Sequence, residues 1–205
     1  MNFGMGDLLE ATGQSAAPTL ALVGMPAAGK TTIGRRLASA LGRTAVDLDP
    51  RIEQEIGCSI RQYFAYQGEA RFRKVEARVL RDVLAERPGV LSTGGGTVLL
   101  EGNRQLLREK ARVIFLQASP EQLLPRLRGD GSRPLLQVTD TLQRLLQLQA
   151  QREGLYRKTA HVVVPVGPGG PRAVVSRILV ATGLGRPRAA GSAFHAQKEA
   201  SHAIS

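Results

Sequence analysis

Thr19-Leu20-Ala21-Leu22-Val23 runs without a break into Gly24-Met25-Pro26-Ala27-Ala28-Gly29-Lys30-Thr31, and Ile33, Leu37, Ala40 and Leu41 then recur at helical spacing before Gly42. A short apolar run reads as a buried strand, and the periodic stretch as a helix over 30–41 that Gly42 closes. What joins them has the form G-x-x-x-x-G-K-[ST]. Each fixed position has a physical reason. The glycines let the backbone curl close to an anion, and successive N–H groups then point inward as a nest. Lys30 can reach the outer phosphates of a nucleotide, and the Thr31 hydroxyl can ligate Mg²⁺. The helix that follows turns its positive end toward the same place. A nucleoside triphosphate is the expected ligand. Ala27 and Ala28 stand where such loops often have Gly or Ser, and either would be strained by roughly 1 kcal/mol at positive φ.

Outward from this unit, β-type runs alternate with helical ones. Strands are expected at 44–48, 90–93, 113–116 and 161–164 in addition to 19–23. Helices are expected at 69–87, 123–127, 141–152 and 172–179. Five strands separated by helices imply a parallel sheet with right-handed crossovers and helices on both faces. Ligands of such sheets bind at the carboxyl ends of the strands.

Composition narrows the class. The chain has 205 residues, 42% of them hydrophobic, enough for one domain with a sizeable core. No window approaches the ~18 continuous apolar residues of a membrane helix. One cysteine, Cys58, excludes a disulfide framework and reads as packing, and the three histidines suggest neither a metal site nor a triad. Residues 1–18 lack the basic start and apolar core of a signal peptide, so a cytoplasmic protein is expected. They read as an N-terminal tail and 186–205 as a C-terminal, disordered one, leaving 19–185 as the domain.

The net charge is +11, from 28 Lys and Arg against 17 Asp and Glu. A basic protein favours anionic partners, whether nucleic acid, membrane or phosphorylated small molecules. Eight aromatics, none of them Trp, are few for a single-strand binding surface. Five of the cations are Lys and 23 Arg, a compositional bias that outruns any one site.

Beyond the phosphate loop, Asp47 and Asp49 close the second strand. Two apart on a strand they would face the same side, one toward the metal and one toward an acceptor hydroxyl, although Asp-Leu-Asp-Pro also reads as a loop start. Arg73 and Glu76 are three apart on a helix, so the carboxylate can hold the guanidinium for an anionic substrate. Gly94-Gly95-Gly96 after the third strand implies close backbone approach. Gly129-Asp130-Gly131-Ser132-Arg133-Pro134-Leu135-Leu136 describes a lid (about 125–138) able to bring an arginine over the phosphates. Arg152-Glu153-Gly154-Leu155-Tyr156 precedes the last strand.

In this order the phosphate loop, D-x-D, F-R-x-x-E (Phe72 to Glu76), G-G-G, R-P-L-L and R-x-x-L-Y resemble the shikimate kinase family, over about residues 19–183. The resemblance implies a three-layer α/β/α sandwich of nucleoside-monophosphate-kinase type with a five-stranded parallel sheet. It implies ATP-dependent phosphorylation of the shikimate 3-hydroxyl, with Mg²⁺, in a monomer that binds neither nucleic acid nor membrane. By matching position, Gly24, Met25, Pro26, Ala27, Ala28, Gly29, Lys30, Thr31 and Thr32 hold ATP, with Arg126 beside the adenine. Thr31 and Asp47 serve the metal. Asp49, Lys30 and Arg133 are the catalytic set, Arg133 also reaching ATP. Arg73 and Arg152 clamp the substrate carboxylate, Gly94, Gly95 and Gly96 line the substrate, and Ile60, Phe64 and Phe72 form its apolar wall. Other small-molecule kinases, such as gluconate or adenylate kinase relatives, share the first motif but have no need of the later ones. A shikimate-kinase-like ligand-sensing module is the reading from a different class, and 1–18 is too short for the helix-turn-helix it would carry.

Overall fold

The structure is a computed structural model that describes residues 17–127 and 140–185. The predicted tails lie outside these apart from Ala17 and Pro18, as do Arg133 and most of the predicted lid. Five parallel strands form one sheet in the order β2-β3-β1-β4-β5. They are β1 (Thr19–Val23), β2 (Ala45–Asp47), β3 (Val90–Ser92), β4 (Ala111–Gln117) and β5 (Val162–Pro165). Their helices are α1 (Lys30–Leu41), α2 (Leu48–Ile56), α3 (Ile60–Ala85), α4 (Glu101–Lys110), α5 (Pro120–Leu127), α6 (Thr141–Thr159) and α7 (Gly170–Thr182). α1 packs on α7, while α2 to α6 form a second connected group, giving the α/β sandwich expected.

β1 sits at the centre, pairing Leu20 with Val90 and Leu22 with Ser92 on one side, and Ala21 with Val113 and Val23 with Phe115 on the other. All five of its residues are buried, which is why Leu20 to Val23 are apolar without alternation. The loop that leaves it therefore starts from the buried centre of the sheet. Gly42 ends α1 in the left-handed conformation, its N–H reaching back to Ala38 and Ser39 carbonyls.

Three expectations change. The second strand stops at Asp47, whose carboxylate caps α2 by accepting the Asp49 N–H at 3.2 Å. Asp49 is therefore on the first turn of a helix, and strand alternation does not explain why it faces the site. Pro50 is tolerated there because first-turn N–H groups have no intrahelical partner. α3 begins nine residues earlier than its apolar period suggests, at a capping box in which Ser59 and Gln62 bond each other's backbone. Gly68, at φ 72° and ψ 170°, breaks it between the two segments. α4 is the third. Its apolar residues are Leu106 and Leu107 alone, and among its buried residues is Asn103, which donates to the Thr97 carbonyl at 3.0 Å.

His161 adds one rung to the β4–β5 edge. Its Nδ1 accepts the Val113 N–H at 2.9 Å while the His161 backbone N–H donates to the Val113 carbonyl at 2.8 Å. Burial, then the charges of Arg108 and Arg112, hold its pKa below the usual histidine value. The unfolded chain thus takes up this proton first. The contribution is complete above about pH 6.5 and is lost as pH falls below it. His161→Asn puts an acceptor oxygen near the same place without titrating. Its melting temperature should fall less steeply than that of the wild type between about pH 7.5 and about pH 5. Parallel slopes in thermal melts would assign the pH dependence to other groups.

Candidate active site

The phosphate loop leaves β1 at Gly24, whose φ of 148° suits glycine and where a Cβ would lie 2.7 Å from the Leu116 carbonyl oxygen. Gly29, also at positive φ, caps α1. Ala27 is at φ 62°, so the strain its side chain would bring is present, roughly 1 kcal/mol. Lys30 is 7% exposed and folds back over the loop, its Nζ donating to the Gly24 and Met25 carbonyls at 2.9 Å each. The loop is thereby closed around the ammonium. Arg126, on α5, donates to the Ala27 carbonyl at 3.4 Å, which places it beside the loop. Thr32 is exposed on the first turn of α1.

Thr31 Oγ1 donates to Asp47 Oδ2 at 2.5 Å, while Asp47 Oδ1 caps α2. A hydroxyl that gives its proton to a carboxylate keeps its lone pairs for a cation. Among the described residues no group of three His, Cys, Asp or Glu could hold a metal. One carboxylate and one hydroxyl beside a phosphate-binding loop suit Mg²⁺, which keeps waters and takes phosphate oxygens to complete its shell. The donor set fits.

The acceptor side is built around the turn after β3. Gly94, Gly95 and Gly96 are not at positive φ, so it is crowding that requires them. A Cβ on Gly96 would overlap the Arg73 guanidinium. One on Gly95 would sit 2.9 Å from Pro26 Cδ, so this turn presses on the phosphate loop itself. One on Gly94 would lie 3.1 Å from Glu76 Oε1 and 3.2 Å from Asp49 Oδ1. Three glycines thus let two carboxylates, one guanidinium and the loop converge.

Arg73 is buried within that convergence. Its Nη1 donates to Glu76 Oε2 at 2.6 Å, and its Nε and Nη2 donate to Glu69 Oε1 at 3.2 and 2.9 Å. The Phe64 and Phe72 rings, 4.5 Å apart, lie with their centroids 5.9 and 5.2 Å from its guanidinium carbon. Burial by itself would lower the Arg73 pKa, but Glu76 and then Glu69 outweigh it and hold the pKa above the ordinary arginine value. Glu76 is 1% exposed and its other oxygen accepts from Thr97 Oγ1 at 2.7 Å. Ile60 opens α3, half-buried against the core.

Arg152 enters from α6, 4% exposed, its Nη1 donating to the Gly95 carbonyl at 3.3 Å. Its Nε is buried with no hydrogen-bond partner. A buried charged donor without an acceptor is costly unless a ligand supplies one. The Gly95 carbonyl also accepts the Tyr156 hydroxyl at 2.5 Å.

Most of the predicted site residues within the described part lie in two adjoining sets, whereas Ile60 is placed only against the core and Thr32 only on the exposed first turn of α1. Gly24 to Thr31, Asp47 and Arg126 gather at the loop, and Asp49, Arg73, Gly94 to Gly96, Arg152, Phe64 and Phe72 around the turn after β3. The sequence reading assigned no role to Glu69, Thr97 or Tyr156. Glu69 is four before Arg73 and Tyr156 four after Arg152, so helical spacing could have found both. Nothing local marks Thr97.

A family model described as shikimate kinase matches residues 26–182. A shikimate kinase of Paracidovorax citrulli (strain AAC00-1) is 48% identical over 145 residues, 70% of this chain and 79% of that protein. A solved shikimate kinase from Acinetobacter baumannii in complex with shikimate has a TM-score of 0.77 at 40% identity, covering 79% of this chain and 90% of that one. A gluconokinase from Sinorhizobium meliloti 1021 has a TM-score of 0.51 at 18% identity, covering 82% of this chain and 95% of its own, a likeness of fold alone. The ordered motifs, the parallel sheet built on a central phosphate-loop strand and these matches agree: the chain belongs to the shikimate kinase family.

Proposed function

We propose that this enzyme transfers the γ-phosphoryl group of ATP to the 3-hydroxyl of shikimate, giving shikimate 3-phosphate and ADP, a step of aromatic amino-acid biosynthesis. The observation that carries the reading is the contact of Gly95 with Pro26, which abuts an anion frame of two buried arginines against a phosphate loop. A donor with phosphates and an acceptor with a carboxylate can then occupy adjoining sites.

In this reading Arg73 and Arg152 take the shikimate carboxylate, and the partnerless Nε of Arg152 gains an acceptor. Glu76 keeps Arg73 in place, the Gly95 N–H meets the substrate, and Phe64, Phe72 and Ile60 back its ring. Asp49 orients the 3-hydroxyl and takes its proton as the oxygen attacks the γ-phosphorus. The bond from that phosphorus to the bridging β–γ oxygen breaks, and ADP leaves with the electron pair. Lys30 turns from the Gly24 and Met25 carbonyls to the phosphates, with Arg133 over them. Thr31 and Asp47 would hold Mg²⁺, which when bound neutralises phosphate charge.

As part of the same proposal the enzyme works in the cytoplasm as a monomer. Among the described residues no helix is long and apolar enough to cross a membrane.

Coupled ADP release with MgATP tests the function, comparing shikimate with quinate, gluconate and nucleoside monophosphates. Turnover should be confined to shikimate and its near analogue quinate, with shikimate much preferred. No release above background with shikimate would overturn the reading.

A further inference from the structure

We infer that the Tyr156 hydroxyl is a positioning group for the acceptor: by holding the Gly95 carbonyl itself, it lets the Arg152 guanidinium leave that carbonyl and turn to the substrate's carboxylate. The inference rests on the proposed function and deepens it.

Tyr156 is fully buried, stacked on Phe115 with ring centroids 5.1 Å apart, so its ring has no room to swing. It lies one helical turn beyond Arg152 on α6, and both side chains reach the same carbonyl 57 and 61 residues back in the chain. The two bonds differ. The tyrosine's is short at 2.5 Å, and the arginine's is long at 3.3 Å, near the limit for such a bond. Arg152 also shares a side-chain hydrogen bond with Tyr156 but keeps its Nε unpartnered, so it is incompletely satisfied. An anion near Arg152 would draw the guanidinium away from Gly95. Without the hydroxyl that move would leave a half-buried carbonyl with no protein donor, and the lost bond would weaken substrate binding. With it, the carbonyl stays paired throughout.

There is a second consequence. The Gly95 carbonyl and the Gly96 N–H belong to one planar trans peptide and point in opposite directions, so anchoring the first also aims the second. Burial, against the lowering charge of Arg152, pushes the Tyr156 pKa up to about 12, so the hydroxyl remains a donor across the working range of the enzyme.

The test is Tyr156→Phe, which removes one oxygen and keeps the ring. Calorimetric titration without nucleotide should show shikimate binding about ten-fold weaker, while ATP affinity stays at the wild-type value. A core variant on another helix, Leu179→Ala on α7, controls for lost stability and should bind shikimate as the wild type does. Unchanged shikimate affinity in Tyr156→Phe, or equal weakening of ATP and shikimate, would overturn the inference. A second measurement needs no variant. In a crystal structure of the wild type with shikimate, the Tyr156–Gly95 bond should persist and the Arg152–Gly95 contact should be broken. Arg152 still bonded to Gly95 would refute the exchange. Wild-type protein that binds no shikimate at all would overturn the proposed function together with this inference, whereas tight wild-type binding with an indifferent Tyr156→Phe would overturn the inference alone.

Discussion

Asp49→Asn should lower kcat by about 10²- to 10⁴-fold and leave the KM for ATP essentially unchanged. Asparagine has the shape of aspartate and can still bond a hydroxyl, but it cannot take the proton that the hydroxyl must lose. The substitution therefore separates orientation from proton transfer. The local structure should survive it. The cap on α2 uses the Asp49 backbone N–H and the Asp47 side chain, neither of which is altered. Because Asp49 Oδ1 faces the glycine turn while Thr31 and Asp47 bond each other on the phosphate side, loss should fall on turnover and spare nucleotide binding. Steady-state kinetics with both substrates varied would decide. A kcat within a few-fold of wild type would remove Asp49 from the role of base.

Glu76→Ala should produce the largest loss of stability among the site substitutions. The carboxylate is almost completely enclosed, and both oxygens are used, one by Arg73 at 2.6 Å and one by Thr97 at 2.7 Å. Its removal leaves a buried guanidinium whose remaining anionic partner, Glu69, has a side chain 47% exposed and weakened by solvent. Breaking a buried pair by deleting one member costs about 3–5 kcal/mol. For a domain of this size that is a fall in melting temperature of about 10 °C. Shikimate binding should weaken as well, because Arg73 would lose the contact that sets its pose. Glu76→Gln keeps an acceptor for Thr97 but not the charge, and should fall between. A melting temperature of Glu76→Ala within about 3 °C of wild type would mean that the pair is worth no more than a surface one.

The difference between these two acids shows what was legible in the chain and what was not. Arg73 and Glu76 could be paired from their spacing alone, since three residues on a helix bring side chains together wherever the helix lies. Asp47 and Asp49 were also read from spacing, as strand neighbours, but the strand ends between them. An aspartate before Leu-Asp-Pro caps a helix as readily as it closes a strand, and the helix prevailed because its first N–H groups needed an acceptor. Asp49 still faces the acceptor side, carried there by the helix turn instead of by alternation. α4 has no legible period for a related reason: with Leu106 and Leu107 its only apolar residues, its place depends on contacts with α3, α6 and β4 rather than on a stripe of its own.

The sequence by itself determined the unit at the centre of this protein. A strand, a glycine-bounded loop and a helix within Thr19–Leu41 are local structures whose glycines, lysine and apolar period have local causes. The number of strands and their parallel direction followed from the same alternation. Only the tertiary structure decided which strands are neighbours, and so which loops meet. The order β2-β3-β1-β4-β5 sets β3 beside β1 and thereby lays Gly95 against Pro26, although 69 positions separate them. It likewise brings Arg152 and Tyr156 on α6 to the same turn. No spacing encodes such meetings. They arise because crossovers must return each strand to the sheet while its helices bury their apolar faces, and that condition is satisfied by the whole chain at once.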